Sequence, residues 1–451
     1  MRTATATIHD RLIEAGALFL IVFTPFAFGT VEPWSEAVAE IVILGMVVTW
    51  LLGSLRNWEL RVELPAGWVP AALFLALLAV QATLPSWSLD PGTTRRLALK
   101  LGAVAAFFLV CANTYRIRSQ FRRAAWTLIA TGTAISVFGV VQRMTWNGRF
   151  YWIGPEAPGT AVYTFGPFTN RAHFAGLVVA VLPVALVMLL TRRREPSHRS
   201  AAQGWAARFR RWNSQDSSAR SLIPLLILIM GGAALASGSR GAIVTLVAVL
   251  LAILGLGGGG RAGRARWIKI AISAVLILMA GAWIGGDVLY GTIERLLTEI
   301  ERPDEGFRLR VWPDAVSMWW SEARIVGTGL GSFAVAFPRF RTLRAPAVVS
   351  HAESDWLGLL VETGAVGFVL AAATAVSAAV MLLRRRRHAR AYSARVQALA
   401  GLVALIGAAV QSLPNYNLPV MSNLIYLSLA LIIAQSGPTA AGGVIPGQEE
   451  S

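Results

Sequence analysis

The stretch AGLVVAVLPVALVMLL, residues 175–190, runs directly into Thr191-Arg192-Arg193-Arg194. A charge-free apolar run closed by a basic cluster is the pattern of a helix that crosses a bilayer and stops at its headgroup layer. The pattern recurs along the chain: Ala15–Phe28, Ile41–Leu52, Ile243–Leu256 and Ala365–Leu383 are equally free of charge. A hydrocarbon core about 30 Å thick takes roughly 20 apolar residues as helix, and several of these blocks reach that length with their flanks. Composition agrees. Of 451 residues, 55% are hydrophobic and 14% charged, whereas a soluble domain carries about a quarter charged residues. The sequence therefore reads as an all-α, polytopic integral membrane protein.

The net charge of +17 would suit a nucleic-acid binder, but its distribution does not. The basic residues sit in short clusters between apolar blocks, at Arg116–Arg123, Arg192–Arg194, Arg208–Arg211, Arg261–Arg266 and Arg384–Arg387. Such clusters mark loops retained on the cytoplasmic side. Cys111, the single cysteine, lies inside an apolar block and rules out an internal disulfide framework. Arg2 and Arg11 precede the first apolar run, and Ala27-Phe28-Gly29 loosely resembles a signal-peptidase site. With many further spans following, that run reads as an uncleaved first helix.

About twelve transmembrane helices are expected, near 12–29, 36–54, 67–84, 96–114, 122–142, 172–191, 221–237, 241–257, 267–286, 355–383, 396–412 and 418–436. With both termini cytoplasmic, most basic clusters fall on one side. The division is an N-terminal bundle over residues 1–286, a large periplasmic loop over 287–354, C-terminal helices over 355–436 and a disordered tail over 437–451. Two loops on the outer side stand out. Met144–Arg171 is rich in aromatics, glycine and proline, and its rings could stack on sugars or anchor the loop at headgroup level. The 287–354 loop carries helical periodicity at Val288–Glu301 and Arg310–Ala323. A long connection with helices of its own is usually functional.

Sorting the polar residues by side narrows the chemistry. His9, His198 and His388 fall in basic cytoplasmic segments; only His173 and His351 fall outside. Arg240, in the tight Ser239-Arg240-Gly241 turn, reads either as an interfacial snorkelling side chain or as an anion site beside a helix start. Arg308 and Arg310, next to Trp312, read either as local ion-pair partners of nearby acids or as a second cationic clamp. His351, Glu353 and Asp355 fall within five residues before an apolar span, where Ser354 or Asp355 could also cap the helix. Glu362, two turns into that expected helix, is costly in a membrane unless partnered. Together these residues suit transfer from a lipid diphosphate: cations stabilise the departing diphosphate, and a His or carboxylate takes the acceptor proton. No zinc spacing and no Asp-x-Asp suggest a metal, and no cofactor is expected.

At these residues the sequence resembles the O-antigen ligase and Wzy-type polymerase superfamily. The resemblance is carried by Gly166–Gly176 with its Asn170-Arg171-Ala172-His173, by Ser239-Arg240-Gly241, by Arg308 before Trp312, by Gly327-Thr328-Gly329-Leu330-Gly331, and by His351 to Gly367. It implies a GT-C-like membrane glycosyltransferase, metal-independent and inverting, in a bacterial inner membrane. The donor would be an undecaprenyl-diphosphate-linked oligosaccharide and the acceptor another glycan or lipid. It assigns Arg240 and Arg308 to the diphosphate, to which the local reading adds Arg310, with Asn170, Arg171, His173 and Glu362 in support. Relatives place His-Asn four residues before a leucine. Here, counting back from Leu357, Glu353 holds the His position and Ser354 the Asn position, while His351 matches an earlier His. Glu353 is thus the positional equivalent of the base, and His351 its competitor. Rival readings are a polysaccharide or small-molecule transporter, which should show polar or broken helices in paired halves, and a non-catalytic binder of lipid-linked sugars.

Overall fold

The computed structural model describes residues 7–56, 62–156, 164–190, 222–256, 307–342, 349–417 and 419–435, save the side chains of residues 56 and 307–309. Among the described residues the chain is helical, with only two isolated β-bridges, Arg149 to Glu156 and Phe165 to Phe168. Its long helices are α1 (Ile8–Phe26), α2 (Pro33–Arg56), α3 (Trp68–Thr83), α4 (Pro91–Thr114), α5 (Arg118–Met144), α6 (Arg171–Leu190), α7 (Ile223–Ala236), α8 (Arg240–Leu256), α9 (Phe307–Glu322), α10 (Asp355–His388), α11 (Tyr392–Gln411) and α12 (Met421–Gln435). Apart from α9, each coincides with an apolar segment expected from sequence. The expected helices at 267–286 and Val288–Glu301, and the tail from 437, lie outside the described residues.

Among the described residues, six helices are long and apolar enough to cross a membrane: α2 from Pro33 to Leu55, α4, α5, α6, α10 and α11. Burial sorts them. In α6, 72% of the most apolar window is buried, against 17% in α2 and 11% in α10. Helix α6 is thus the axis of the bundle, packed on α5, α7, α8, α11 and α12. The outer helices leave Ile41, Leu44, Leu52, Val369 and Val376 more than half exposed. Apolar surface on this scale, on helices of bilayer length, suits contact with lipid.

Charges inside the bundle are paired. Arg123 of α5 grips Glu14 of α1 with Nε to Oε1 at 2.5 Å and Nη2 to Oε2 at 2.7 Å. Lys100 of α4 meets Glu36 Oε1 of α2 at 2.5 Å, and Arg96 meets Glu36 Oε2 at 2.8 Å. Both Lys100 and Glu36 are buried, so each offsets the desolvation of the other.

The loop before α10 has its own core. Helix α9 turns Val311, Ala315 and Met318 inward against Phe333, Phe337, Val349, Ala352 and Val361. Asp314 secures it by accepting the Thr342 N–H at 2.9 Å and the Thr342 hydroxyl at 3.0 Å. The aromatics of the other expected outer loop pack on one another and on the bundle. Tyr151 lies against Phe28 and Phe138, its hydroxyl donates to the Phe26 carbonyl, and Phe150 packs edge-on against Phe28 and Trp146. Burial pushes the Tyr151 phenol up to about 12. These rings anchor the loop.

Sequence alone reads α10 as one continuous helix. The structure breaks it at Gly364, where φ is 67° and ψ −175°. The freed Ala365 and Val366 amides donate to the Arg324 and Ile325 carbonyls at 2.9 and 3.1 Å. In return Thr328 and Gly329 donate to the Val361 and Glu362 carbonyls at 3.2 and 2.9 Å. Glu362 therefore belongs to a short segment docked on the 324–333 loop, not to the interior of a long apolar helix.

Candidate active site

The polar groups gather at one end of the bundle: the starts of α4, α6, α8, α10 and α12, and the ends of α3, α7 and α11. Their hub is the connection from α11 to α12, residues 412–420. Asp355, the first residue of α10, donates its N–H to the Ser412 and Asn415 carbonyls at 3.0 and 2.9 Å. Its Oδ2 accepts the Asn417 N–H at 2.8 Å. Trp356 Nε1 reaches the Ala409 carbonyl at 3.0 Å, and Lys100 Nζ the Pro419 carbonyl at 2.8 Å. Gln411 ties in two further helices, accepting from Thr245 of α8 at 2.8 Å and donating to Ala172 O of α6 at 3.1 Å.

Tyr416 stands at the centre of this connection. Its ring stacks on His351 with centroids 4.1 Å apart and planes 6° from parallel. His173 meets it edge-on at 5.2 Å and bonds the Tyr416 carbonyl through Nε2 at 3.0 Å. Asn170 Nδ2 donates to the Tyr416 hydroxyl at 3.3 Å. Asn170 also accepts the Ala172 N–H at 2.8 Å, fixing the start of α6. Three residues that sequence places in two separate motifs, Asn170 and His173 in one and His351 in the other, thus meet on one residue.

Beside Tyr416 lies a cavity of about 60 Å³, lined by Lys100, His351, Asp355, Glu362 and Tyr416 and walled by Leu97, Leu101, Leu330 and Leu359. A single water takes roughly 10–15 Å³ on this measure, so a few waters or one hydroxyl-bearing group fit. His351 Nδ1 lies 2.9 Å from the Ser350 hydroxyl; in the tautomer whose Nδ1–H donates to that hydroxyl, Nε2 is the nitrogen able to take a proton. Burial pushes the imidazole down to about 4, so at neutral pH it is uncharged, with a lone pair open to a proton. Glu362 accepts the Phe333 N–H at 3.2 Å and so fastens the turn that follows the Gly327–Gly331 run.

The remaining expected residues are placed as follows. Glu353 adopts φ 55°, a left-handed bend that costs a non-glycine residue about 1–2 kcal/mol. The bend sends His351, Ala352, Ser354 and Asp355 to the cavity, and Glu353 is not among the residues that line it. Ser354 caps α10, its hydroxyl accepting the Leu357 N–H at 3.4 Å. Arg240 opens α8, where Ser239 caps the first turn by accepting the Ala242 N–H. A Cβ on Gly241 would come within 2.3 Å of Asn415 Nδ2, so α8 starts directly against the loop that carries Tyr416. Arg171 opens α6, half-buried, and Arg310 is exposed on α9. Arg308 falls in the first turn of α9, its side chain outside the described residues, so its approach to Arg240 does not enter the geometry.

Sequence reading missed Tyr416, Lys100 and Gln81. Gln81, buried near the end of α3, donates to the Val326 and Glu362 carbonyls at 2.6 and 3.1 Å and accepts the Leu330 N–H at 3.3 Å. It bolts the glycine-rich loop to the Glu362 segment. Replacing Gln81 with leucine strands the Val326 carbonyl and the Leu330 amide, while the Glu362 carbonyl keeps the Gly329 N–H, and an unsatisfied buried group costs about 1–3 kcal/mol. Thermal unfolding of purified Gln81→Leu should register a loss of about 2–3 kcal/mol, and an unchanged midpoint would contradict this bracing role.

Fold and cavity together define a polytopic helical membrane protein with a buried polar site where the ends of its helices converge. Residues 225–372 match the family model described as O-Antigen ligase, and over this segment the match supports the O-antigen ligase and polymerase superfamily read from the motifs. It contains Arg240, the Gly327–Gly331 run, His351, Glu362 and Gly364. At the level of the family it supports a membrane enzyme that ligates or polymerises glycans. No curated protein matches the chain.

Proposed function

We propose that the chain transfers glycan from an undecaprenyl-diphosphate-linked donor to a second glycan or lipid, with inversion, on the periplasmic side of a bacterial inner membrane. The reading routes the step through protein side chains alone. The observation that carries it is a half-buried His351 lining a small cavity walled by Tyr416, on the loop against which α8 and its Arg240 begin. The acceptor hydroxyl oxygen forms the new bond to the anomeric carbon as the bond from that carbon to the diphosphate oxygen breaks. The hydroxyl proton passes to His351 Nε2, and the diphosphate leaves with the lipid. Arg240 and Arg308 neutralise the charge growing on that leaving group, the moment at which a fixed cation contributes most. His351, not its positional rival Glu353, is the base, because His351 lines the cavity and is held unprotonated.

Two features support the membrane side. The site gathers helix starts and ends at one face of the bundle, and the basic run Arg384–Arg387 closes α10 at its opposite end. Basic runs stay cytoplasmic, which favours a site on the outer side. The gathering of polar groups at one face also favours transfer over transport.

The test is glycan transfer by purified protein in nanodiscs, with a defined lipid-diphosphate glycan and acceptor. Arg240→Ala should lower kcat by about 10²–10³-fold, the scale of losing one charge-stabilising group, with Arg240→Lys recovering part. Undiminished transfer by Arg240→Ala would overturn the diphosphate role. Movement of the intact lipid-linked glycan across the bilayer, with no new glycosidic bond, would establish the transporter reading instead.

A further inference from the structure

We propose that Tyr416 is a positioning residue that orients the His351 imidazole and shields it from water, and that Asn170 and His173 act through Tyr416 and not on the substrate. The proposal deepens the transferase reading above and rests on it. Three observations carry it. The Tyr416 ring covers one face of His351 almost in parallel. Asn170 holds its hydroxyl and His173 its carbonyl, so both ends of the residue are fixed to the start of α6. The backbone on either side is clamped as well. Asn415 O and Asn417 N bind Asp355, while Pro419 O binds Lys100. Lys100 is in turn held by Glu36.

A residue held at its hydroxyl, at its carbonyl and through the backbone on either side presents its ring as a rigid wall. Stacking restricts the imidazole to one plane, and the Ser350 contact at Nδ1 selects its orientation within that plane. Asn423 completes the frame, donating to the His173 carbonyl at 3.1 Å and to Asn417 Oδ1 at 3.4 Å. The motif around Asn170 and His173, fixed at the start of α6, thereby reaches a proton acceptor 178 residues further along the chain without touching the reacting atoms.

The titratable and charged groups around His351 are Lys100 from α4, His173 from α6, Asp355 and Glu362 from α10, the adjoining Glu353, and Arg240 on α8 against the same loop. Removing the Tyr416 ring changes none of them. What it changes is water, which would reach the exposed imidazole face and favour the cation.

The test pairs two measurements on the full chain in nanodiscs. Deuterium exchange at histidine C2, resolved by mass spectrometry, reads the titration of His351 itself and needs no substrate; glycan transfer reads catalysis. In Tyr416→Ala the midpoint of His351 should rise towards the ordinary value near 6.5. The acid limb of kcat should rise with it, and kcat at neutral pH should fall roughly 10- to 100-fold, as for a misaligned catalytic group, with KM changed far less. Tyr416→Phe keeps the ring but loses the hydroxyl that Asn170 holds, and should recover the larger part of both readouts. His173→Ala combined with Tyr416→Ala should be no worse than Tyr416→Ala alone. An unmoved His351 midpoint in a folded Tyr416→Ala, or additive losses in the double variant, overturns the proposal. A moved midpoint with transfer indifferent to His351→Ala would uphold Tyr416 as the positioner and overturn His351 as the base.

Discussion

Gly364→Ala should yield a protein that fails to hold its site, with transfer abolished and the unfolding midpoint sharply lowered. At φ 67° and ψ −175° the backbone occupies a region open essentially to glycine alone, and forcing another residue there costs about 1–3 kcal/mol. Space is refused as well. A Cβ at this position would lie 2.2 Å from the Ile325 carbonyl oxygen and 2.3 Å from its carbon. Both are backbone atoms that cannot swing aside as a side chain would. Moving them costs a further 1–3 kcal/mol or so, and it breaks the bonds from Ala365 and Val366 to residues 324 and 325. The sum, about 2–6 kcal/mol, is a large fraction of the roughly 5–15 kcal/mol that holds a domain together. Gly327, at φ 76°, fits against the same junction from the other side, where a Cβ would strike the Glu362 carbonyl at 2.3 Å; Gly327→Ala should behave alike. Gly45 in α2, with nothing within 4 Å of its missing Cβ, supplies the control: Gly45→Ala should be neutral or slightly stabilising. A Gly364→Ala protein that unfolds at the wild-type temperature and remains active would refute the interlock.

The same junction shows what the sequence makes legible. The helices were readable because each is written in contiguous residues: an apolar run of bilayer length, a basic or glycine-rich end, and the next run. Glu362, Gly364 and the Gly327–Gly331 run also announced themselves, the first as a carboxylate at the edge of an apolar block. Their joint action did not, because the hydrogen bonds linking 324–329 to 361–366 depend on a break in a helix that hydropathy reads as continuous. Tyr416 was invisible for a related reason. A tyrosine in a short loop between apolar helices reads as an interfacial anchor, and its partners lie 65 to 246 residues away in the chain. Lys100 and Gln81 carried a usable signal. Each is a polar side chain inside an apolar helix, which in a membrane demands a partner. What the sequence withheld was which partner, since Glu36, Pro419, Val326 and Glu362 come from four other elements.

His351→Ala and Glu353→Gln decide the site between them. Sequence position favours Glu353, which stands where relatives carry a histidine. Geometry favours His351. A general base contributes about 10²–10⁴-fold to the rate, so His351→Ala should lower kcat by that factor while Glu353→Gln stays within about tenfold of wild type. The pH dependence separates them further. With the imidazole held near 4, the wild-type rate should be flat from pH 8 to pH 5 and fall only as pH approaches 4. An unshifted histidine would lose half its activity near 6.5. The sign for stability follows. Because the folded imidazole binds its proton more weakly than the unfolded one, its contribution to stability is intact above about 6.5 and declines as pH falls towards 4. His351→Ala should therefore remove part of the acid sensitivity of the unfolding midpoint while it removes catalysis. Loss of transfer in Glu353→Gln with full activity in His351→Ala would return the role to the positional equivalent, and the left-handed bend at Glu353 would then have to turn its carboxylate to the substrate from outside the cavity.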